Sequence, residues 1–116
     1  MTLREVIATL QAKVVLNNAG EDVVVERARA SDLMSDVLTR VKPDALLLTG
    51  LTTPQSIYTA EMADVAVICY VRGKMPQEET MRLAEERGLI LLSTVYPMYE
   101  SCGRLYRQGL KGGSET

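Results

Sequence analysis

Three apolar runs constrain the fold most: Ala45-Leu46-Leu47-Leu48-Thr49, Val65-Ala66-Val67-Ile68-Cys69-Tyr70-Val71 and Leu89-Ile90-Leu91-Leu92. Each ends in small or polar residues and then meets a proline, at Pro54, Pro76 and Pro97. A proline is favoured in the first turn of a helix, where its missing N–H leaves no bond unmade and its fixed φ already suits the turn. The pattern is therefore strand, loop, helix, repeated: strands over 45–49, 65–71 and 89–92, and helices over 54–63, 76–87 and 97–108. Near-continuous apolar strands alternating with helices call for right-handed crossovers and a parallel sheet covered on both faces. The expected fold is α/β, a three-layer α/β/α sandwich with a mainly parallel, mixed central sheet.

The rest of the chain fits around that core. Leu3, Val6, Ile7 and Leu10 recur at helical spacing, and Thr2 with Glu5 makes a capping box, which predicts a helix over 2–11. Val14, Val15 and Leu16 form a short strand ended by Asn17-Asn18-Ala19-Gly20, a turn-forming run. Residues 23–30 return as a second strand with a polar, edge-like second half. Residues 13–30 are thus either a hairpin or a pair of strands flanking the parallel core. Ser31 reads as the N-cap of a helix over 32–41, with Leu33, Val37, Leu38 and Val41 on its apolar face and Lys42-Pro43-Asp44 as its stop. Gly88 stands where a C-cap glycine belongs. A single domain over 1–110 and a disordered tail over 111–116 complete the layout.

Composition removes whole classes of function. The chain has no histidine, which takes away the commonest general base, the Ser–His and Cys–His nucleophile pairs and the commonest metal ligand. No cofactor or metal site is expected. A net charge of −2 over 116 residues offers no footprint for nucleic acid. The apolar runs are far shorter than the roughly 20 residues of a membrane span. We expect a cytoplasmic protein with neither partner. Cys69 and Cys102 read as small packing residues. With no Phe and no Trp, the core must be aliphatic, with methionines and the five tyrosines filling gaps.

In open α/β sheets ligands gather beyond the carboxyl ends of the strands, opposite helix N-termini. Three loops build that edge: Thr49-Gly50-Leu51-Thr52-Thr53, Arg72-Gly73-Lys74-Met75 and Ser93-Thr94-Val95-Tyr96. Gly50 and Gly73 permit close backbone approach. Thr49, Thr52, Thr53, Ser93 and Thr94 supply hydroxyls, while Arg72 and Lys74 supply positive charge. The set suits a phosphate or carboxylate. No phosphate-binding loop, dinucleotide fingerprint or nucleophile elbow accompanies it. On the last helix Met98, Cys102, Leu105 and Tyr106 form a stripe around Gly103, a glycine expected to mark close packing against the sheet. A homodimer through Tyr99 and Tyr106 is the other reading of that helix.

From Ala30 to Leu110 the chain resembles the short stand-alone members of the DRTGG domain family. The resemblance rests on Ser31-Asp32-Leu33-Met34-Ser35-Asp36-Val37, Leu46-Leu47-Leu48-Thr49-Gly50, Val71-Arg72-Gly73-Lys74-Met75-Pro76, Leu92-Ser93-Thr94 and Cys102-Gly103-Arg104-Leu105-Tyr106. It implies a sandwich similar to the N-terminal domain of HPr kinase/phosphorylase. It also implies a regulatory role, since relatives are fused to CBS domain pairs and to phosphate acetyltransferase. The family's Asp-Arg pair falls at Thr52-Thr53 here and its Thr-Gly-Gly at Val71-Arg72-Gly73, so Gly73 alone matches.

The function expected is a non-enzymatic regulatory module that binds a small anionic metabolite, a nucleotide among the candidates, at the three-loop edge. Two alternatives stand beside it. One is a protein-interaction subunit without a small-molecule ligand, and the other is a histidine-independent enzyme relying on Lys74 or Cys102.

Overall fold

The computed structural model describes residues 1–17, 22–38 and 45–113. The expected turn at 18–20, the end of the helix over 32–41, its stop at 42–44 and the last tail residues, 114–116, lie outside them. The elements are α1 (Leu3–Leu10), β1 (Lys13–Leu16), β2 (Arg27–Ala30), α2 (Met34–Val37), β3 (Ala45–Thr49), α3 (Gln55–Met62), β4 (Val67–Tyr70), α4 (Glu78–Arg87), β5 (Ile90–Ser93), α5 (Met98–Arg107) and β6 (Lys111–Gly112).

The strands form one six-stranded sheet in the order β1-β5-β4-β3-β2-β6. Strands β2, β3, β4 and β5 run parallel, with Ala30 beside Leu48, Leu48 beside Cys69 and Cys69 beside Leu92. Among the described strands only β1 is antiparallel, on β5. The α/β/α sandwich with a mainly parallel, mixed sheet is therefore the observed fold. Alternate strand residues serve opposite layers, as a period of two requires. Leu46, Leu48, Val67, Cys69, Ile90 and Leu92 pack toward Leu3, Val6 and Leu10 of α1 and Leu105 of α5. Leu47, Ile68, Tyr70 and Leu91 pack toward α2, α3 and α4 through Met34, Val37, Ile57, Ala60 and Ala84.

Local expectations hold best where a cap fixes an end. The Glu5 N–H donates to the Thr2 hydroxyl and the Glu5 carboxylate accepts from the Thr2 N–H, closing the capping box of α1. Gly88 ends α4 in the left-handed region at φ 70°. Pro54 and Pro97 take the N-cap positions of α3 and α5, and Pro76 lies just before Gln77, the N-cap of α4.

Of the two readings of residues 13–30, the flanking pair is the one observed, since β1 and β2 sit on opposite sides of the parallel core. Three expectations need correction. Only 27–30 of the second strand joins the sheet. Residues 23–25 instead bond the backbone around Thr2, with Leu3 N–H donating to the Val23 carbonyl and Val25 N–H to the Met1 carbonyl, both at 2.8 Å. The helix expected from 32 begins at Met34, its N-cap is Leu33 and Leu33 is exposed. The Ser31 hydroxyl accepts from the Leu33 N–H in a local turn, a competing use of a would-be capping residue. Lys111–Gly112 is no disordered tail but a short strand beside β2, which therefore is not the outermost strand.

Two titratable groups lie deep in this core. Burial pushes the Cys69 thiol up to about 12. Burial likewise pushes Tyr70 up to about 12, against a smaller downward pull from its hydrogen bond to Ser56. Both are acids whose folded values exceed their unfolded ones. Their contribution to stability is complete below the unfolded values of 9.0 and 10.0, and is lost as pH rises toward about 12. Thermal midpoints recorded between neutral pH and pH ~11 should fall only above pH ~9, and Tyr70→Phe should flatten the upper part of that decline. Separately, Leu91→Ala should cost about 3 kcal/mol of unfolding free energy in urea titration, because Leu91 is fully buried between β5 and the α3–α4 layer.

Candidate functional site

The four parallel strands end at one edge, at Ala30, Thr49, Tyr70 and Ser93. Four loops rather than three therefore meet there. The additional loop is Ser31-Asp32-Leu33, and it supplies the group around which the others are arranged. The Gly50 N–H donates to Oδ1 of Asp32 at 2.6 Å, and the Thr49 hydroxyl donates to the same oxygen at 3.2 Å. A Cβ at Gly50 would stand 3.3 Å from that oxygen, so a glycine here serves close approach. Lys74 donates from Nζ to the Gly50 carbonyl at 3.3 Å, and the same Cβ would stand 3.6 Å from that nitrogen. An oxyanion thus already sits on the Gly50 amide, and it belongs to the chain itself.

The second loop is a tight turn. Arg72 and Gly73 both have positive φ, 60° and 68°, and the Lys74 N–H closes the turn on the Val71 carbonyl at 3.2 Å. Gly73 takes that conformation at little cost, while Arg72 is a rarer occupant of it. The turn is held by the third loop, since Arg72 N–H donates to the Tyr96 carbonyl at 2.9 Å and Gly73 N–H to the Thr94 carbonyl at 2.7 Å. The Ser93 hydroxyl donates to the Lys74 carbonyl at 2.8 Å. These bonds leave the Arg72 and Lys74 side chains on a braced frame at the exposed rim.

The sequence-derived residues divide accordingly. Thr49, Gly50, Lys74 and Ser93 come together around Asp32 and the turn. Arg72 and Gly73 lie on the same turn. Thr52 and Thr53 use their carbonyls for structure: Thr52 accepts from Gln77 N–H at 3.2 Å and from the Thr80 hydroxyl at 2.7 Å, and Thr53 from the Ser56 hydroxyl at 2.8 Å. Thr94 turns inward, its buried hydroxyl donating to the Leu10 carbonyl at 2.7 Å. Asp32 escaped sequence reasoning because Ser31 before an apolar run reads as a helix cap. The signal was the strand ending at Ala30, since a loop after a parallel strand must lie at the same edge as the others.

A second concave feature lies elsewhere. A groove of about 700 Å³ runs between α5 and the β2–β6 side of the sheet, floored by Ala28, Ala30, Leu48 and Leu110. Its cause is arithmetic. With strands about 4.8 Å apart and helices about 10 Å apart, one helix covers about two strands. Among the described residues, α1 and α5 alone cover this face. The alanines of β2, aligned with Leu46 and Leu48, deepen the trough. Gly103 lines it but does not pack on the sheet as expected, because a Cβ there would meet nothing within 4 Å. Tyr106, expected on the packed stripe, is 63% exposed.

Of the chemistry these residues could support, covalent catalysis is poorly served. Burial raises both the Cys69 and the Cys102 thiol, the opposite of what an activated nucleophile needs. Among the described residues no group of three or more acidic, cysteine or histidine side chains could hold a metal ion. No helix among them is long and apolar enough to cross a membrane.

No family model matches the chain, and no curated protein matches it. Among solved structures it is similar to the CBS and DRTGG domains of the regulatory region of Clostridium perfringens pyrophosphatase, which was crystallised with its activator diadenosine tetraphosphate. The TM-score is 0.71 at 17% sequence identity. The match covers 94% of this chain and 47% of that one, so this chain spans about half the length of the structure it resembles. At that identity the likeness is one of fold.

Gly50→Ala should destabilise the protein by about 1–3 kcal/mol in chemical denaturation, since the new methyl group presses on the Asp32 carboxylate. Pairing it with Asp32→Ala should recover most of that loss, as residues in direct contact are not additive.

Proposed function

We propose that this chain is a DRTGG-like regulatory domain without catalytic activity, and that it binds a small anionic ligand of the nucleotide class at the carboxyl edge of its sheet. One observation carries the reading: the Asp32 carboxylate seated on the Gly50 N–H, beside the Thr49 hydroxyl and Lys74. A backbone amide and a hydroxyl converging on one oxygen, with an ammonium held close by on the Gly50 carbonyl, make an oxyanion position. In the ligand-free chain the position is filled from within. A phosphate would take it by displacing Asp32, with Arg72 and Lys74 supplying countercharge.

Displacement gives the site a way to signal. Asp32 lies two residues before α2, and the described part of α2 is a short helix that packs its Met34 and Val37 against the α3 side of the core. Freeing Asp32 loosens the lead into that helix, so ligand binding and the position of α2 are coupled. The pyrophosphatase regulatory region supports the ligand class, since it is activated by a dinucleoside polyphosphate. It supports nothing finer, and the particular nucleotide is left to measurement.

The test is a thermal-shift screen against mono- and dinucleotides, followed by calorimetric titration of each hit. At about 100 times Kd a ligand adds about 2.7 kcal/mol to the folded state, a rise of several degrees. Arg72→Ala and Lys74→Ala should each weaken a true hit about tenfold or more. Asp32→Asn keeps an acceptor for Gly50 but removes the competing charge, so it should tighten binding severalfold. Hits indifferent to all three substitutions would place the ligand elsewhere, and a screen with none would remove the ligand altogether.

A further inference from the structure

We infer that α5 is the contact by which two copies of this chain associate, crossing antiparallel at Gly103. Gly103 is a residue that the single chain does not explain. A glycine inside a helix costs about 1 kcal/mol against alanine, and near the middle of α5 nothing offsets that cost, since a Cβ at Gly103 would find open space. Beside it on the outward face, Tyr99 is 88% exposed and Tyr106 is 63% exposed.

At 100° per residue the buried Ser101 and Leu105 define the inward face of α5, and Gly103 lies opposite them. Tyr99 and Glu100 come four and three residues before Gly103, and Tyr106 and Arg107 come three and four residues after it. All lie within one outward-facing strip. A two-fold axis through Gly103 lays the N-terminal half of one strip on the C-terminal half of the other. A tyrosine and an acid then meet a tyrosine and a base, twice. Glu100 faces the partner subunit's Arg107, and Tyr99 faces the partner subunit's Tyr106 and Arg107. The missing side chain at the crossing point lets the two backbones approach. The strip is thus complementary to itself in charge and shape, which is the property an isologous contact requires. The groove beside α5 extends the same surface with apolar floor.

Sedimentation equilibrium of the whole chain, from about 1 µM to about 500 µM to bracket the affinities of small interfaces, should show a reversible monomer–dimer equilibrium. Gly103→Gln separates this account from a merely structural one. It should raise the thermal midpoint of the monomer, because a helix former replaces glycine in open space, and yet weaken dimerisation about tenfold or more. Glu100→Arg and Arg107→Glu should each weaken the dimer, and the double variant should restore it to within about threefold of the parent. Tyr99→Ala should weaken it without lowering the midpoint. A monomer at every concentration overturns the inference. So does a dimer whose dissociation constant is unmoved by Gly103→Gln and by either charge reversal.

Discussion

Parallel pairing of β2, β3, β4 and β5 is the constraint from which the rest follows. Strands paired in that way need crossovers, and the crossovers place helices on both faces. Every residue from Val67 to Tyr70 and from Ile90 to Ser93 is accordingly buried, polar hydroxyls included. The same pairing sends four strand ends to one edge, so four loops must find partners for their backbone groups in a small space. The core and the candidate site are two consequences of one topology.

At that edge the chain resolves its own electrostatics. Asp32, from the fourth loop, accepts from the Gly50 amide and the Thr49 hydroxyl, while the Lys74 ammonium donates to the Gly50 carbonyl. On the proposed function, an external anion competes with this internal carboxylate, and the winner sets the lead into α2. The amides and carbonyls that brace the edge are supplied by backbone, so this frame does not depend on the side chains at Thr52-Thr53 and Val71-Arg72.

Much of the fold was legible because each strand run was long, apolar and closed by a proline, which fixes where a helix can start. The capping box at Thr2 and the C-cap at Gly88 were legible for the same local reason. What failed was non-local. The sequence does not show that Val23 and Val25 bond the first turn of the chain, nor that Lys111 pairs with Arg27 across most of its length. The loops carrying the hydroxyls and glycines do meet at one edge of the sheet, but the exposure of individual groups was not legible. Thr94 is spent on the Leu10 carbonyl, and Asp32 was hidden inside an apparent helix start. Gly103 misled in the opposite direction, since a helical glycine was read as a packing contact and proved to face open space.

The most direct test of the central claim follows the Gly50 amide itself. Its nitrogen–proton resonance should lie far downfield in the free protein, as expected of an N–H donating to a carboxylate at 2.6 Å. On titration with a nucleotide that stabilises the protein, the Gly50, Lys74 and Met34 amides should shift together and saturate with one dissociation constant. Saturable binding that leaves Gly50 unmoved, or moves it without Met34, would contradict the account of a phosphate displacing Asp32.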